Sequence, residues 1–164
     1  MAVIVFILTT STIVGEKLKP EDSFKYIKCV TLDDNNQYMI LEDQFGIRHF
    51  IEYEPYKDYN LAISDNIMCL VAKINCTGRL FLEPEHPLYK AGNCYQFNII
   101  TVKELPNEWE ITVIDCFENK ITFNTDSRIS VIPQAGDSIM ARVESIKKGI
   151  PNLVIDKELM HIQA

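Results

Sequence analysis

The chain has 164 residues, 47% of them hydrophobic and 24% charged, with a formal charge of −7. That composition is ordinary for a globular chain and not that of a disordered one, and it restricts any nucleic-acid site to a local basic patch, because affinity follows the phosphates neutralised. Five cysteines (Cys29, Cys69, Cys76, Cys94, Cys116) show no regular spacing and form no Cys-x-x-Cys pair, and His49, His86 and His161 are far apart. No metal site is therefore expected.

In chain order, residues 1–23 form an apolar segment. The run Val3-Ile4-Val5-Phe6-Ile7-Leu8 and the Ser/Thr stretch after it are too short to span a bilayer. They lack the basic start and small-residue cleavage site of a signal peptide. A packed strand or the remnant of a longer parent is expected, without membrane contact. With the odd cysteine count, this favours a reducing, cytoplasmic setting.

Strands follow. Tyr26 to Val30 is rich in strand formers and stops at the turn signal Asp33-Asp34-Asn35-Asn36. Tyr38 to Glu42 and Ile47 to Tyr53 flank a hairpin at Asp43-Gln44-Phe45-Gly46, and a longer connection leads to Ile67 to Lys73. Cys76-Thr77-Gly78 then turns into Arg79 to Glu83. Residues 85–92, with Pro87 inside, make a short linker. Strands recur at Tyr95 to Val102, Trp109 to Asp115, Lys120 to Asn124, Ile139 to Ser145 and Asn152 to Asp156, before a tail at 159–164.

The second set repeats the first. At an offset of 72 residues, seven of the 32 positions from Asp43 to Ile74 are identical: Asp43/Asp115, Phe45/Phe117, Asp65/Asp137, Ile67/Ile139, Met68/Met140, Val71/Val143 and Ile74/Ile146. Chance would supply about two. Alternation puts Ile67, Cys69 and Val71, like Ile139, Ala141 and Val143, on the core face, with Arg142 and Glu144 outward. It also turns His49 inward with Ile47 and Ile51, and places Trp109 in the core with Ile111 and Val113. The expected fold is all-β, with two tandem five-stranded barrels at 24–84 and 93–158.

The run from Ser64-Asp65-Asn66-Ile67 through Cys76-Thr77-Gly78-Arg79-Leu80 resembles the closing half of S-one-type OB domains, the RNA-binding modules named for the ribosomal small-subunit protein and related to cold-shock domains. Gly46-Ile47-Arg48-His49 is similar to that family's Gly-Leu-Val-His, and Gly136-Asp137 repeats the first part of its pattern. The resemblance implies OB-type barrels that bind single-stranded RNA without catalysis or cofactor. By motif, it assigns Tyr38, His49, Asn75 and Arg79 in the first copy to binding, and Phe45 and Arg48 join them as the hairpin's exposed candidates. Ser64 stands in place of the family's Gly and Asn75 in place of its Asp. The second copy has Ile121 where His49 stands, and offers Lys147 and Lys148 in place of the arginine.

Each candidate has a plainer role beside the functional one. Phe45 and Phe117 recur in the same hairpin, as a packing residue of both barrels would. His49 has the position of a partly buried, hydrogen-bonded side chain, and Arg48 and Arg79 that of solvated surface charges. Asp43, Asp115, Asp65 and Asp137 are expected to bind backbone donors of their turns. No nucleophile, base or phosphate-cradling loop points to an enzyme. The function expected first is single-stranded RNA binding. The alternative is a protein-interaction scaffold, which the acidic balance favours. An exported carbohydrate-binding module would require residues 1–23 to act as a signal.

Overall fold

Phe24 and Tyr26 are buried while Ser23 before them and Lys25 between them are exposed, and the same alternation marks Phe97 and Ile99 around Asn98. Period-two burial of this kind makes a strand with one face in a core. The structure, a computed structural model, describes residues 21–76, 79–126 and 134–155. The fold is all-β, with two five-stranded antiparallel sheets, and the chain divides into two compact units between Glu85 and His86.

The first unit contains β1 (Glu21–Thr31), β2 (Gln37–Glu42), β3 (Arg48–Glu52), β4 (Asn66–Ile74) and β5 (Leu80–Pro84), in the order β3-β2-β1-β4-β5. The second contains β6 (Cys94–Glu104), β7 (Glu108–Ile114), β8 (Lys120–Asp126), β9 (Ser138–Lys147) and β10 (Ile150–Val154), in the matching order β8-β7-β6-β9-β10. Each first strand serves two partners. Glu21 to Lys25 pair with β4 and Lys25 to Thr31 with β2, and the register shifts between Tyr26 and Lys28. β6 divides its pairing between β9 and β7 in the same way, with its shift between Ile99 and Thr101. An extra residue at that point bends the strand and raises its twist, which curls the sheet. In the second unit β8 and β10 meet, so that sheet is nearly closed into a barrel, whereas β3 and β5 approach less extensively.

The duplicated aspartates bind their turns in both units. Asp43 Oδ1 accepts the N–H groups of Phe45 and Ile47, both at 2.9 Å, and Asp115 Oδ1 accepts those of Phe117 and Asn119, both at 2.8 Å. The N–H groups of Ala62 and Gln134 donate to Asp65 and Asp137. Both turns need left-handed backbone, and each unit supplies one glycine and one substitute. Gly46 (φ +77°) corresponds to Glu118 (φ +65°), and Gly136 (φ +98°) to Ser64 (φ +79°). The non-glycine residue at each pair costs about 1 kcal/mol, which the surrounding hydrogen bonds offset.

Some boundaries differ from the sequence reading. β1 starts at Glu21, so Glu21 to Ser23 belong to the sheet, and residues 1–20 lie outside the described residues, as do Thr77, Gly78 and residues 156–164. The longer connection contains a 3-10 helix, Glu54–Tyr59, with Pro55 in its first turn and Tyr56 and Tyr59 buried. Six residues are too few to display a helical period.

Residues 85–92, expected as a linker, supply part of the second unit's interior. His86 and Tyr89 are buried, and Tyr89 joins the cluster of Phe97, Ile111, Val113 and Ile139 against which Trp109 packs. His86 Nδ1 accepts the N–H groups of Leu88 and Tyr89 at 3.1 and 3.0 Å, and its ring lies against Tyr89 and Phe117. Burial lowers the His86 pKa below its ordinary 6.5, and the charge of Asp115 opposes this in part. A histidine depressed in the folded state contributes stability that is complete above 6.5 and is lost as pH falls through the folded value, because the unfolded chain takes the proton first. Urea midpoints measured from pH 7.5 down to about 5 are therefore expected to fall for the native chain. His86→Asn keeps an acceptor but cannot titrate, and is expected to flatten that fall. An unchanged pH profile in the variant would assign the loss to other groups.

Candidate nucleic-acid interface

The antiparallel β2–β3 ladder sets Tyr38 opposite Glu52, Ile40 opposite Phe50 and Glu42 opposite Arg48. Met39, Leu41 and Ile51 are buried in the core, so Tyr38, Arg48, Phe50 and Glu52 leave the other, outer face. Lys28 of β1 continues the row of Ile40 and Phe50; Lys28 and Phe50 are exposed, and Ile40 between them is buried. An open groove of about 680 Å³ runs beside this face, lined by Leu32, Tyr38, Ile47, Arg48, His49, Phe50, Arg79 and Leu80. Leu32 comes from the β1–β2 loop, Arg79 from the β4–β5 turn and Leu80 from the start of β5.

Four of the six expected site residues, Tyr38, Arg48, His49 and Arg79, thus meet in one groove. The Tyr38 hydroxyl donates to Asp34 Oδ2 at 2.8 Å, which holds the half-buried ring in place. That bond raises the phenol pKa, and the Asn36 and Tyr38 donors lower that of Asp34. Arg48 Nε donates to Glu42 Oε2 at 3.0 Å, using one of five donors. The Arg79 guanidinium stands 5.6 Å from the ring centre of Phe81, an exposed cation–π contact.

His49 is different. Its Nε2 donates to Asp43 Oδ2 at 3.0 Å, since a carboxylate only accepts, and its ring meets Phe24 edge-on at 5.8 Å. With 9% of its side chain exposed, it forms the floor of the groove and braces the hairpin.

Phe45 and Asn75 are not among the lining residues. Phe45 is exposed at the hairpin tip and does not take the packing role expected from its recurrence. Its counterpart Phe117 is half-buried against His86. Among the described residues, the second unit has a partner segment for that hairpin, His86 to Tyr89, with the His86 ring against Phe117. Asn75 shapes the turn: its Oδ1 accepts the Arg79 N–H at 2.8 Å, and its own N–H donates to the Arg79 carbonyl at 3.0 Å. The amide that the motif assigned to ligand also fixes the turn that carries Arg79.

Sequence reasoning missed Phe50, Leu32, Ile47 and Leu80 as lining residues. Phe50 was accessible to it, because an aromatic between His49 and a core Ile51 must face outward. At the matching face of the second unit, Glu110, Lys120 and Thr122 replace Tyr38, Arg48 and Phe50, and Thr112 Oγ1 lies 3.0 Å from Thr122 Oγ1. Among the described residues, that surface has no aromatic platform.

Among the described residues, no group of His, Cys, Asp and Glu side chains is placed to hold a metal ion, and no helix is long and apolar enough to cross a membrane. All five cysteines are free; Cys69 is buried, and burial pushes its thiol up to about 12. No family model matches the chain. No curated protein matches it either. A solved structure described as "Structural mimicry for functional antagonism" is similar over 88% of this chain and 92% of its own, at 11% identity and a TM-score of 0.35, too low a likeness to bear on function.

Proposed function

We propose that the first unit is an OB-type barrel that binds single-stranded RNA on its β2–β3 face, without catalysis, in a reducing compartment such as the cytoplasm. The observation that carries this reading is the groove itself. It joins two aromatic rings, Tyr38 and Phe50, to two guanidinium groups, Arg48 and Arg79. It is bounded by the β1–β2 loop and the β4–β5 turn, the elements with which OB barrels take oligonucleotides. Aromatic faces stack on unpaired bases, and guanidinium groups pair with phosphates. The strand order β3-β2-β1-β4-β5, with β3 turned toward β5, agrees with that barrel type. The five free thiols suit the compartment.

The test is a titration of labelled oligo-U with the full chain. With so few cations available, two to four phosphates are neutralised, so log affinity should fall against log salt with a slope of about −1.5 to −3. Arg79→Ala should flatten that slope by about one, and changing Lys147 and Lys148 should matter less. A flat titration at about 50 mM salt, with the fold intact by circular dichroism, would sink the reading.

The charge of the first unit favours a second reading. Over residues 21–85 carboxylates outnumber Lys and Arg two to one, a balance that repels a polyanion outside the groove and suits a protein-binding adaptor. The adaptor reading predicts no RNA binding even at low salt, and indifference to these substitutions.

A further inference from the structure

Phe45 and Phe117 hold one position of the repeat, yet their surroundings differ. Phe117 is half-buried with the His86 ring 5.4 Å from its own, whereas Phe45 is 45% exposed among the described residues. The duplication says what the first unit can set against that ring. Phe24 pairs with Ile67 between β1 and β4 as Phe97 pairs with Ile139 between β6 and β9, so the two first strands are in register at these phenylalanines. His86 and Pro87 stand 11 and 10 residues before Phe97, and the same intervals before Phe24 reach Ile13 and Val14. An apolar pair therefore holds the place from which the second unit covers its hairpin.

The inner part of the site differs in a consistent way. In the second unit Tyr89 takes it, with its ring 5.4 Å from Phe97 and its hydroxyl accepting the Cys116 N–H at 3.0 Å. In the first unit the matching residue is Glu16, a charge that is costly to bury, and the His49 ring meets Phe24 instead, at 5.8 Å. The outer part, over Phe45, is what the chain before β1 can cover. The distance is short. Gln44 Nε2 donates to Asp22 Oδ2 at 3.5 Å, which sets the hairpin beside the start of β1. Val14 precedes Glu21 by seven residues, a reach of about 25 Å when extended. Laying two β-branched side chains on the ring takes apolar surface of all three residues out of water.

We propose that Ile13 and Val14 dock on Phe45 at the β2–β3 hairpin, as His86 does on Phe117, and so brace the hairpin whose Asp43 holds His49. This does not depend on what the groove binds.

Nuclear Overhauser spectroscopy of the full chain, with methyl-labelled Ile and Val and ring-labelled Phe, tests the proposal. Ile13→Leu, Val14→Leu and Phe45→Leu assign the signals. Cross-peaks from Ile13 or Val14 to the Phe45 ring within one chain are expected. Their absence, cross-peaks from residues 3–8 in their place, or cross-peaks found only between differently labelled copies overturn the docking. Tryptic cleavage after Lys17 is a second readout, because undocking opens that bond to the protease. Phe45→Ser leaves the core untouched and should be cut about five- to tenfold faster than the native chain. Equal rates overturn the proposal.

Discussion

Replacing Asp43 with alanine is expected to destabilise the first unit by about 3–5 kcal/mol. The side chain is fully buried and satisfies three donors at once: the N–H groups of Phe45 and Ile47 through Oδ1, and Nε2 of His49 through Oδ2. Alanine strands all three donors, and removing an acceptor from a buried donor costs more than the hydrogen bond contributed. Asp43→Asn retains an oxygen for the two backbone groups and should lose about half as much. Urea unfolding gives the magnitude, and hydrogen exchange should localise the weakening to the β2–β3 amides. A loss below about 1 kcal/mol would mean that water replaces the carboxylate. Asp115→Ala should behave alike in the second unit, where Asn119 Nδ2 takes the place of the histidine at 3.0 Å from Oδ2.

Changing Tyr38 and Phe50 together to alanine should abolish measurable RNA binding. Each stacked ring contributes about 1–3 kcal/mol, so the pair accounts for most of what a weak site can supply. Both project from the outer face of β2–β3, and the core behind them is built from Met39, Leu41 and Ile51, so stability should hardly change. Tyr38→Phe separates stacking from positioning, since it keeps the ring and removes only the bond to Asp34. It should fall between the native chain and Tyr38→Ala. Direct titration with calorimetry or anisotropy reads each variant. If the double variant binds like the native chain, the groove is not the interface.

The residue pattern alone determined the all-β class, the duplicated strands and the turn role of the four aspartates. These properties are local: alternation needs only neighbours two residues apart, and a short carboxylate reaches only the donors of its own turn. The inward turn of His49 was legible for the same reason. Phe50 had equally clear phase, but it gained significance only when β3 was placed beside β2.

What tertiary structure alone decided lies at longer range. The sequence around Pro84 to Gly92 reads as a linker, yet His86 and Tyr89 fill the second unit's interior, because Phe97 and Phe117 offer them aromatic surface from elements far along the chain. The same segment covers one of two matching phenylalanines, Phe117, while Phe45 is exposed among the described residues. The groove is the clearest case. Leu32, Tyr38, Phe50 and Arg79 come from a loop, two strands and a turn, and they converge because the β1 bulge curls the sheet until β3 turns toward β5. Period-two alternation records which side of a strand a residue occupies, but it contains no term for the curvature that brings two sheet edges together.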